Sequence, residues 1–169
     1  MKPILIPTPH LRIATVADAA AINGIYNHYV RASAATFQTQ EETTEEREEE
    51  LRSRPLNQPV TVLEFDGRIV AWGALSPFHS RCAYRDAVEL TAYVHHDNQR
   101  SGYGRTIVQD LIERARSLGY HTVLAVSCEE SVGMIRLLKS LGFSEVGRLR
   151  ELGNKFGRRL DVHYLQLLL

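Results

Sequence analysis

The sequence predicts a single domain of the α+β class that spans residues 1–169. Three observations support this prediction. The length of 169 residues lies within the range of about 100 to 200 residues that one hydrophobic core commonly serves. Two β-rich runs flank Asp66-Gly67, a pair that tolerates the positive φ of a two-residue hairpin turn. The apolar residues of segment 104–118 recur with helical spacing, and strands are predicted on both sides of this helix.

The elements of the first half follow from capping and alternation. Thr15 with Asp18, and Thr43 with Glu46, have the spacing of capping boxes and predict the starts of two helices. The second helix carries the acidic run 41–50, which we interpret as a solvated face without chemistry. The predicted order is strand 11–13, helix 15–30, a short helix from Thr43 that ends before Pro55, and strands 60–65, 68–75 and 87–94.

The strand 87–94 is predicted to have one core face and one functional face. Successive side chains of a strand point to opposite faces. Val88, Leu90, Ala92 and Val94 therefore share one face, and Glu89, Thr91 and Tyr93 share the other. The remaining elements are helix 104–118 with Gly119 as its cap, strand 122–128, helix 131–140, and closing strands 145–151 and 161–167.

Charge and cysteine content exclude several classes of function. Twenty basic residues balance twenty acidic residues, so no net positive field favours nucleic acid or an anionic membrane as a partner. No apolar run approaches the length of about 20 residues that a membrane helix needs. Cys82 and Cys128 lack the spacing of a disulfide framework, and they favour a reducing, cytoplasmic location.

The histidines are expected to be structural rather than metal ligands. The densest group is His95-His96-Asp97. Adjacent residues at a strand end point in opposite directions, and no third ligand has a fitting position in the sequence. We therefore expect no metal in this protein.

The segment 99–104, Gln-Arg-Ser-Gly-Tyr-Gly, lies between a strand and an amphipathic helix. Glycines allow close approach to the backbone, and a helix N-terminus offers unpaired N–H groups to a phosphate. An ordinary strand-to-helix turn is the alternative interpretation. A Walker loop is excluded because Gly-Lys-Ser/Thr is absent, and a dinucleotide fingerprint is disfavoured because Ile107 stands where a third small residue belongs.

Gln99, Gly102 and Gly104 match the acyl-CoA loop of the GCN5-related N-acetyltransferase (GNAT) superfamily. Over nearly its whole length the chain resembles the phosphinothricin and methionine sulfoximine N-acetyltransferase group. The segments that resemble this group are Ile25-Tyr26-Asn27-His28-Tyr29-Val30, Ala35-Thr36-Phe37, Ala83-Tyr84-Arg85, Val88-Glu89, Tyr93-Val94-His95, Leu141-Gly142-Phe143, Lys155-Phe156-Gly157-Arg158, Leu160-Asp161 and Gln166.

The resemblance implies the GNAT fold, in which a mixed, mostly antiparallel sheet splays near Val94 at the cofactor site and carries helices on both faces. It implies acetyl-CoA as co-substrate, with the pantetheine arm paired to the backbone of one strand, as in β-augmentation. The cofactor-binding residues that it implies are Ala92, Tyr93, Val94, Gln99, Arg100, Ser101, Gly102, Tyr103, Gly104, Arg105 and Ser131.

The resemblance also implies the reaction, which is direct acetyl transfer to the α-amine of a small amino-acid analogue such as phosphinothricin or methionine sulfoximine or sulfone. Glu89 matches the catalytic glutamate, and a carboxylate can take the proton that an ammonium must lose before attack. The substrate-binding residues implied are Phe37, Arg81, Tyr84 and Thr91, with Arg81 and Tyr84 suited to bind acidic oxygens.

The sequence departs from the group at positions that bear on the substrate and, at Ser131, on the contact with CoA. His79 replaces a basic residue, Ser131 replaces an asparagine and Cys128 replaces a glutamate. Leu90 and Leu138 stand where histidines are frequent, which predicts a more apolar acceptor pocket. Two alternatives therefore remain: an acetyltransferase for a polyamine or a protein N-terminus, and a non-catalytic acyl-CoA-binding domain. The resemblance further implies a homodimer.

Overall fold

A computed structural model describes residues 8–169, and its centre is a seven-stranded mixed sheet. The strands lie in the order β1-β2-β3-β4-β5-β7-β6, and every neighbouring pair is antiparallel except β4 and β5. The strands are β1 (His10–Ile13), β2 (Val60–Phe65), β3 (Arg68–Pro77), β4 (Ala87–Val94), β5 (Thr122–Cys128), β6 (Ser144–Lys155) and β7 (Arg158–Leu168). The helices are α1 (Ala19–Ala32), α2 (Thr44–Ser53), α3 (Tyr103–Ser117) and α4 (Val132–Ser140).

Helices cover both faces of the sheet, as predicted, and each face has its own core. On one face Val88 and Leu90 of β4 pack with Ile107 and Leu111 of α3. On the other face a smaller core joins Ile22 and Ile25 of α1 to Val62 and Trp72, and Tyr93 packs against it. The alternation predicted for β4 is therefore confirmed, because its even-numbered residues belong to the first core and Tyr93 belongs to the second.

The predicted turn and the second predicted capping box are both present. Asp66 and Gly67 have φ angles of 51° and 71°, and they join β2 to β3. The amide of Glu46 donates to Thr43 Oγ1 at 3.1 Å, and the amide of Thr43 donates to the Glu46 carboxylate at 2.8 Å. These two reciprocal bonds satisfy backbone donors at the start of α2.

Before α1, a short 3₁₀ turn at Val16–Asp18 precedes the α-helix. The Asp18 carboxylate there accepts from the amide and the hydroxyl of Thr15 and forms a bidentate pair with Arg12. This arrangement fixes the start of the helix to β1.

The closing hairpin is longer than predicted. The sequence indicates strands 145–151 and 161–167, whereas β6 and β7 extend to a tight turn at Phe156-Gly157, where both φ angles are positive. The pairing register shifts between Leu149 and Gly153, which breaks the apolar–polar alternation that would have revealed the longer strands.

The sheet opens between β4 and β5. These parallel strands pair only from Ala87 to Glu89 and from Thr122 to Leu124. Beyond Glu89, β4 remains paired to β3 as far as Val94, but no strand among residues 8–169 pairs with its other side. This opening lies near Val94, as predicted. Within residues 8–169, no helix is long and apolar enough to cross a membrane.

Candidate active site

The open edge of β4 presents free backbone groups. The amide of His95 donates to Val70 in β3, and the Ala87 carbonyl accepts from Phe78, so odd-numbered residues of β4 direct their backbone toward β3. Backbone groups alternate sides along a strand. Ala92 and Val94 therefore direct their N–H and C=O groups into the opening, whereas the backbone of Tyr93 is directed toward β3. An extended chain could pair with this edge as an additional strand.

Tyr29 covers part of this edge. Its hydroxyl donates to the Val94 carbonyl at 2.5 Å and accepts from the Gln99 side chain at 3.0 Å. Gln99 is thus tied to α1 in addition to preceding the glycine loop. Sequence reasoning assigned no role to Tyr29, although it lies within one of the segments that carry the family resemblance. Its hydroxyl leaves the Val94 amide and both backbone groups of Ala92 at the opening.

The glycine loop leads into the N-terminus of α3, close to the same opening. Gly102 is the N-cap residue and has a φ of 83°, and a Cβ built on it would meet no atom within 4 Å. Gly104 differs, because its Cβ would lie 3.5 Å from side-chain atoms of Val94 and Leu137 in the core. Gly102 therefore allows the left-handed backbone conformation of the exposed loop, and Gly104 allows α3 to pack closely on the sheet.

The loop offers charge as well as backbone donors. Arg100, Ser101 and Arg105 are exposed around the helix N-terminus, and Arg105 also donates to Ser140 at 2.8 Å. Tyr103 packs its ring against Phe65 with a centroid distance of 5.9 Å, which anchors the first turn. Two guanidinium groups and the positive end of the helix dipole favour a bound pyrophosphate.

A cavity of about 340 Å³ lies on the opposite face of β4, between the sheet and α2. Glu89, Thr91 and Tyr93 line it from β4, together with Trp72, Ala74 and Ser76 from β3. These residues lie side by side because Trp72 pairs with Tyr93, Ala74 with Thr91 and Ser76 with Glu89. Helix α1 contributes Tyr26, α2 contributes Arg47 and Glu50, and Glu42 and Arg54 come from the segments on either side of α2. The predicted functional face of β4 is therefore the floor of a cavity.

Glu89 is the carboxylate with the fewest constraints in this cavity. It is half-buried, and its carboxylate forms no hydrogen bond or ion pair with any residue from 8 to 169. Burial raises the pKa of Glu89 above the usual value for a glutamate, because a partly desolvated carboxylate is harder to ionise. A free carboxylate with a raised pKa is suited to accept a proton.

The acidic run of α2 contradicts the expectation of a purely solvated face. Glu42 and Glu50 line the cavity and pair with Arg47, whose side chain is only 7% exposed. The guanidinium of Arg47 lies over the rings of Tyr26 and Trp72 at 5.4 and 5.1 Å. The only sign of this buried group in the sequence is a single arginine among the seven glutamates of the run. Charge content alone predicts that such an arginine forms an exposed ion pair.

The predicted substrate residues are distributed over three places. Thr91 lines the cavity beside Glu89. Arg81 and Tyr84 lie on the exposed loop between β3 and β4, where the Tyr84 ring packs edge-to-face against Phe78 and at a tilt against His79. This loop joins Pro77 to Ala87 and so adjoins the end of the cavity that holds Ser76 and Glu89.

Phe37 does not line this cavity. It packs in a third core cluster with Ala34, Cys128 and Leu160, and it lies against Gly153, where an added Cβ would be 2.3 Å from its ring. Phe37 therefore docks the segment after α1 onto the closing hairpin. Lys155 strengthens this contact, because its buried ammonium donates to the carbonyls of Tyr29, Ser33 and Thr36.

The departures from the group have different consequences in the structure. Leu90 and Leu138 are buried in the core under α3 and α4, on the face opposite the cavity, so the prediction that they make the acceptor pocket more apolar is wrong. Cys128 is also buried, and burial raises the pKa of its thiol. Ser131 occupies the N-cap position of α4 next to the end of β5, and its side chain forms no capping hydrogen bond.

The histidines near the end of β4 do not point in opposite directions. The His95 and His96 rings stack with a centroid distance of 4.3 Å, and His28 of α1 stacks on His96 at 4.0 Å. The reason is that β4 ends at Val94 and His96 begins a 3₁₀ turn, so strand alternation no longer applies. Ligand atoms of His95, His96 and Asp97 lie within 4.8 Å of one another. The stacked rings face each other, so they join α1 to this turn as a packing contact.

Comparison with known proteins identifies the family. The sequence model of a family described as "Acetyltransferase (GNAT) domain" matches residues 11–164. The chain belongs to the GNAT acetyltransferases. It is 36% identical to the L-amino acid N-acyltransferase MnaT of Escherichia coli over 158 residues, which cover 93% of this chain and 92% of that protein. It is 35% identical to a phosphinothricin N-acetyltransferase of Streptomyces viridochromogenes, over 92% of this chain and 85% of the relative.

Solved GNAT structures share the fold at full length. A Salmonella typhimurium acetyltransferase, solved with acetyl-CoA, superimposes with a TM-score of 0.92 at 35% identity and covers 95% of this chain and 94% of its own. A phosphinothricin acetyltransferase of Sinorhizobium meliloti, also in complex with acetyl-CoA, gives 0.92 at 29% identity, with 96% and 89% covered. The predicted GNAT fold and family are therefore confirmed.

Proposed function

We propose that this GNAT protein transfers the acetyl group of acetyl-CoA to the α-amine of a small amino-acid analogue. The observation that carries the proposal is the position of Glu89. This half-buried carboxylate has no partner among the described residues, and the edge of its strand is open beyond it. The strand thus separates a site for an extended acyl carrier from a cavity for an acceptor. Relatives named as L-amino acid N-acyltransferase, methionine sulfoximine/sulfone acetyltransferase and phosphinothricin N-acetyltransferase support the choice of acceptor.

Acetyl-CoA is held, in this proposal, by the open edge of β4 and by the loop before α3. Ala92 and the amide of Val94 pair with the pantetheine arm, and Tyr93 contributes its ring to the acceptor cavity rather than its backbone. Gly102, Arg100, Ser101 and Arg105 surround the pyrophosphate. Ser131, which follows β5, offers its hydroxyl to acetyl-CoA.

In this proposal the protein supplies one proton acceptor for the amine and one hydrogen-bond donor to the thioester carbonyl oxygen. An acceptor ammonium gives a proton to the Glu89 carboxylate, directly or through water, and the free amine attacks the thioester carbon. A free backbone N–H of β4 stabilises the negative charge that develops on the carbonyl oxygen. The new C–N bond is completed as the C–S bond breaks, the CoA thiolate carries away the electron pair, and the second proton of the amine nitrogen passes to this thiolate or to water.

The loop beside the cavity supplies the anion contact in this proposal. Arg81 is exposed on the loop between β3 and β4 and forms no ion pair within the described part of the chain. Its guanidinium and the Tyr84 hydroxyl are suited to bind the α-carboxylate of the acceptor while the amine lies at Glu89.

A homodimer is part of the proposal. Strand β6 lies at the edge of the sheet and exposes Val146, Leu149 and Leu152 by 54%, 45% and 57%. A long edge strand with exposed apolar side chains favours association. Light scattering should give about twice the 19.1 kDa chain mass. Leu149→Asp should produce a monomer, whereas Leu118→Asp, at an exposed leucine that follows α3, should not.

Release of free thiol from acetyl-CoA, measured with a panel of acceptors, tests the function. We expect release with methionine sulfone, methionine sulfoximine or phosphinothricin, and little release with spermidine or an N-terminal peptide. Release with the polyamine or peptide alone would reassign the acceptor. Tight acetyl-CoA binding without release for any amine would indicate a binding domain.

The proposed location is the cytoplasm. Cys82 and Cys128 are both free, and free thiols are typical of a reducing compartment.

A further inference from the structure

The Tyr29 hydroxyl joins two parts of the chain that lie on either side of a turn. It donates to the carbonyl of Val94, the last residue of β4, at 2.5 Å, and it accepts from the side-chain amide of Gln99 at 3.0 Å. Between these partners the chain passes through the 3₁₀ turn His96–Asn98. Within residues 8–169, Gln99 forms no other hydrogen bond. We call this pair of hydrogen bonds the Tyr29 bridge.

The Tyr29 side chain is held in place from several directions. Its ring packs on Tyr93 with a centroid distance of 5.3 Å, and the buried Lys155 ammonium donates to its carbonyl at 3.3 Å. The preceding residue, His28, stacks on His96 at 4.0 Å, within the turn that the bridge spans. Burial raises the pKa of Tyr29 above the usual value for a tyrosine, so the hydroxyl retains the proton that it donates. The bridge is therefore a fixed part of the fold.

The glycine loop needs such a restraint. Residues 99–102 are exposed, so no core packing fixes them. Arg100 and Gly102 have positive φ angles of 61° and 83°, and a left-handed conformation at a residue other than glycine persists only where the surrounding structure imposes it. The link at Gln99 therefore determines where the loop begins relative to β4.

One ligand must meet both sides of the bridge. In the proposed complex, the pantetheine arm pairs with Ala92 and with the Val94 amide, and the pyrophosphate lies at the glycine loop. These two parts of acetyl-CoA are covalently joined, so both contacts form at full strength only if the edge and the loop are held at the matching distance. The bridge uses only the Val94 carbonyl, and it leaves free the edge groups that the arm requires.

We propose that Tyr29 is a positioning residue for acetyl-CoA, because its bridge fixes the spacing between the open edge of β4 and the glycine loop. The proposal rests on the proposed binding of acetyl-CoA between these two sites, and it is independent of the acceptor. Tyr29 acts through Val94 and Gln99 rather than on the reacting atoms.

Tyr29→Phe tests the bridge, because it keeps the ring on Tyr93 and removes both hydrogen bonds. If the loop then holds the matching position about one tenth of the time, the Kd of acetyl-CoA measured by calorimetry rises about tenfold. The KM for acetyl-CoA should rise in proportion, and kcat at saturation should be unchanged. ADP carries the pyrophosphate without the pantetheine arm and meets the loop alone. Its Kd, measured by displacement of acetyl-CoA, should therefore be the same in the variant and in wild type.

Gln99→Leu breaks the same bridge from the other side. It should raise the Kd of acetyl-CoA by the same factor, and the double variant should show this increase once rather than twice. Tyr120→Phe is the matched control. The Tyr120 hydroxyl also donates to a backbone carbonyl, that of Asn57, at 2.8 Å, but Tyr120 follows the C-terminus of α3, at the end remote from the glycine loop. This variant should leave the Kd of acetyl-CoA unchanged.

Several results would overturn the proposal. An unchanged Kd for acetyl-CoA in the folded Tyr29→Phe protein would refute the bridge, and tighter binding would show that the hydroxyl competes with the pantetheine arm for the Val94 carbonyl. An equal loss of affinity for ADP and for acetyl-CoA would show that Tyr29 only orders the loop. Additive losses in the double variant would show that Tyr29 and Gln99 act separately.

Two results with wild-type protein complete the test. If ADP displaces no acetyl-CoA, the loop is not the pyrophosphate site, and the bridge has no second contact to position. If acetyl-CoA itself does not bind, the proposed function fails together with the bridge. Binding by wild type with an equal Kd in Tyr29→Phe would refute the bridge alone, so the two failures are distinguishable.

Discussion

The two ends of helix α3 offer a controlled test of the phosphate site. Gly102 precedes the helix and Gly119 follows it, with φ angles of 83° and 79°, and a Cβ on either would meet no atom within 4 Å. An alanine in this left-handed conformation costs about 1 to 2 kcal/mol. Gly102→Ala and Gly119→Ala should therefore lower the free energy of unfolding equally, and each should lower Tm by about 2 to 8 °C.

The two variants should differ in acetyl-CoA binding. A Cβ at Gly102 lies beside the backbone donors that a pyrophosphate would approach, whereas Gly119 lies at the far end of the helix. Loss or displacement of one such hydrogen bond costs about 1.4 kcal/mol, or about tenfold in Kd. Isothermal calorimetry with acetyl-CoA should give this increase for Gly102→Ala and none for Gly119→Ala. Equal Kd values for both folded variants would refute the phosphate role and support an ordinary turn.

Three further predictions follow from named contacts. Arg81→Ala should weaken α-amino-acid acceptors by about 1.5 to 3 kcal/mol in kcat/KM but spare amines without a carboxylate, and an equal loss for both would contradict the anion contact. Lys155→Met leaves three carbonyls without their donor and should lower the free energy of unfolding by about 3 kcal/mol in urea titrations; an unchanged midpoint would contradict it. The bidentate Arg12 pair lowers the pKa of Asp18 to about 2, so the pair stabilises the fold above pH 4 and this contribution is lost as pH falls toward 2. The stability difference between wild type and Asp18→Asn should shrink by about 2 kcal/mol between pH 6 and pH 2, and a constant difference would contradict the assignment.

Local patterns in the sequence predicted the elements and the functional face of β4. The hairpin at Asp66-Gly67, the capping box at Thr43 and the faces of β4 depend on residues close in the chain, and all are present. The length of β6 was missed because a register shift near Gly153 interrupts the alternation that reveals a strand.

The composition of the acceptor cavity could not be predicted in the same way. Arg47 reaches the cavity because Asn23 and two glutamates hold it over Trp72, and these partners come from α1, α2 and β3. Leu90 and Leu138 were assigned to the pocket by analogy, although the pleat of β4 and the packing of α4 direct them into the opposite core. The sequence motifs therefore identified β4 as the functional strand. Tertiary packing determines which side chains line the cavity.

The most direct test of the account is the pH dependence of turnover in wild type and Glu89→Gln. Burial raises the pKa of Glu89, so wild-type kcat/KM should rise with pH through an apparent pKa above that of an ordinary glutamate. Glutamine has nearly the same shape but cannot take the proton. Glu89→Gln should keep the Kd for acetyl-CoA, lower kcat by about 10² to 10⁴ at pH 7, and lose this pH limb. Unchanged turnover from pH 6 to 9 in the folded variant would show that Glu89 is not the general base.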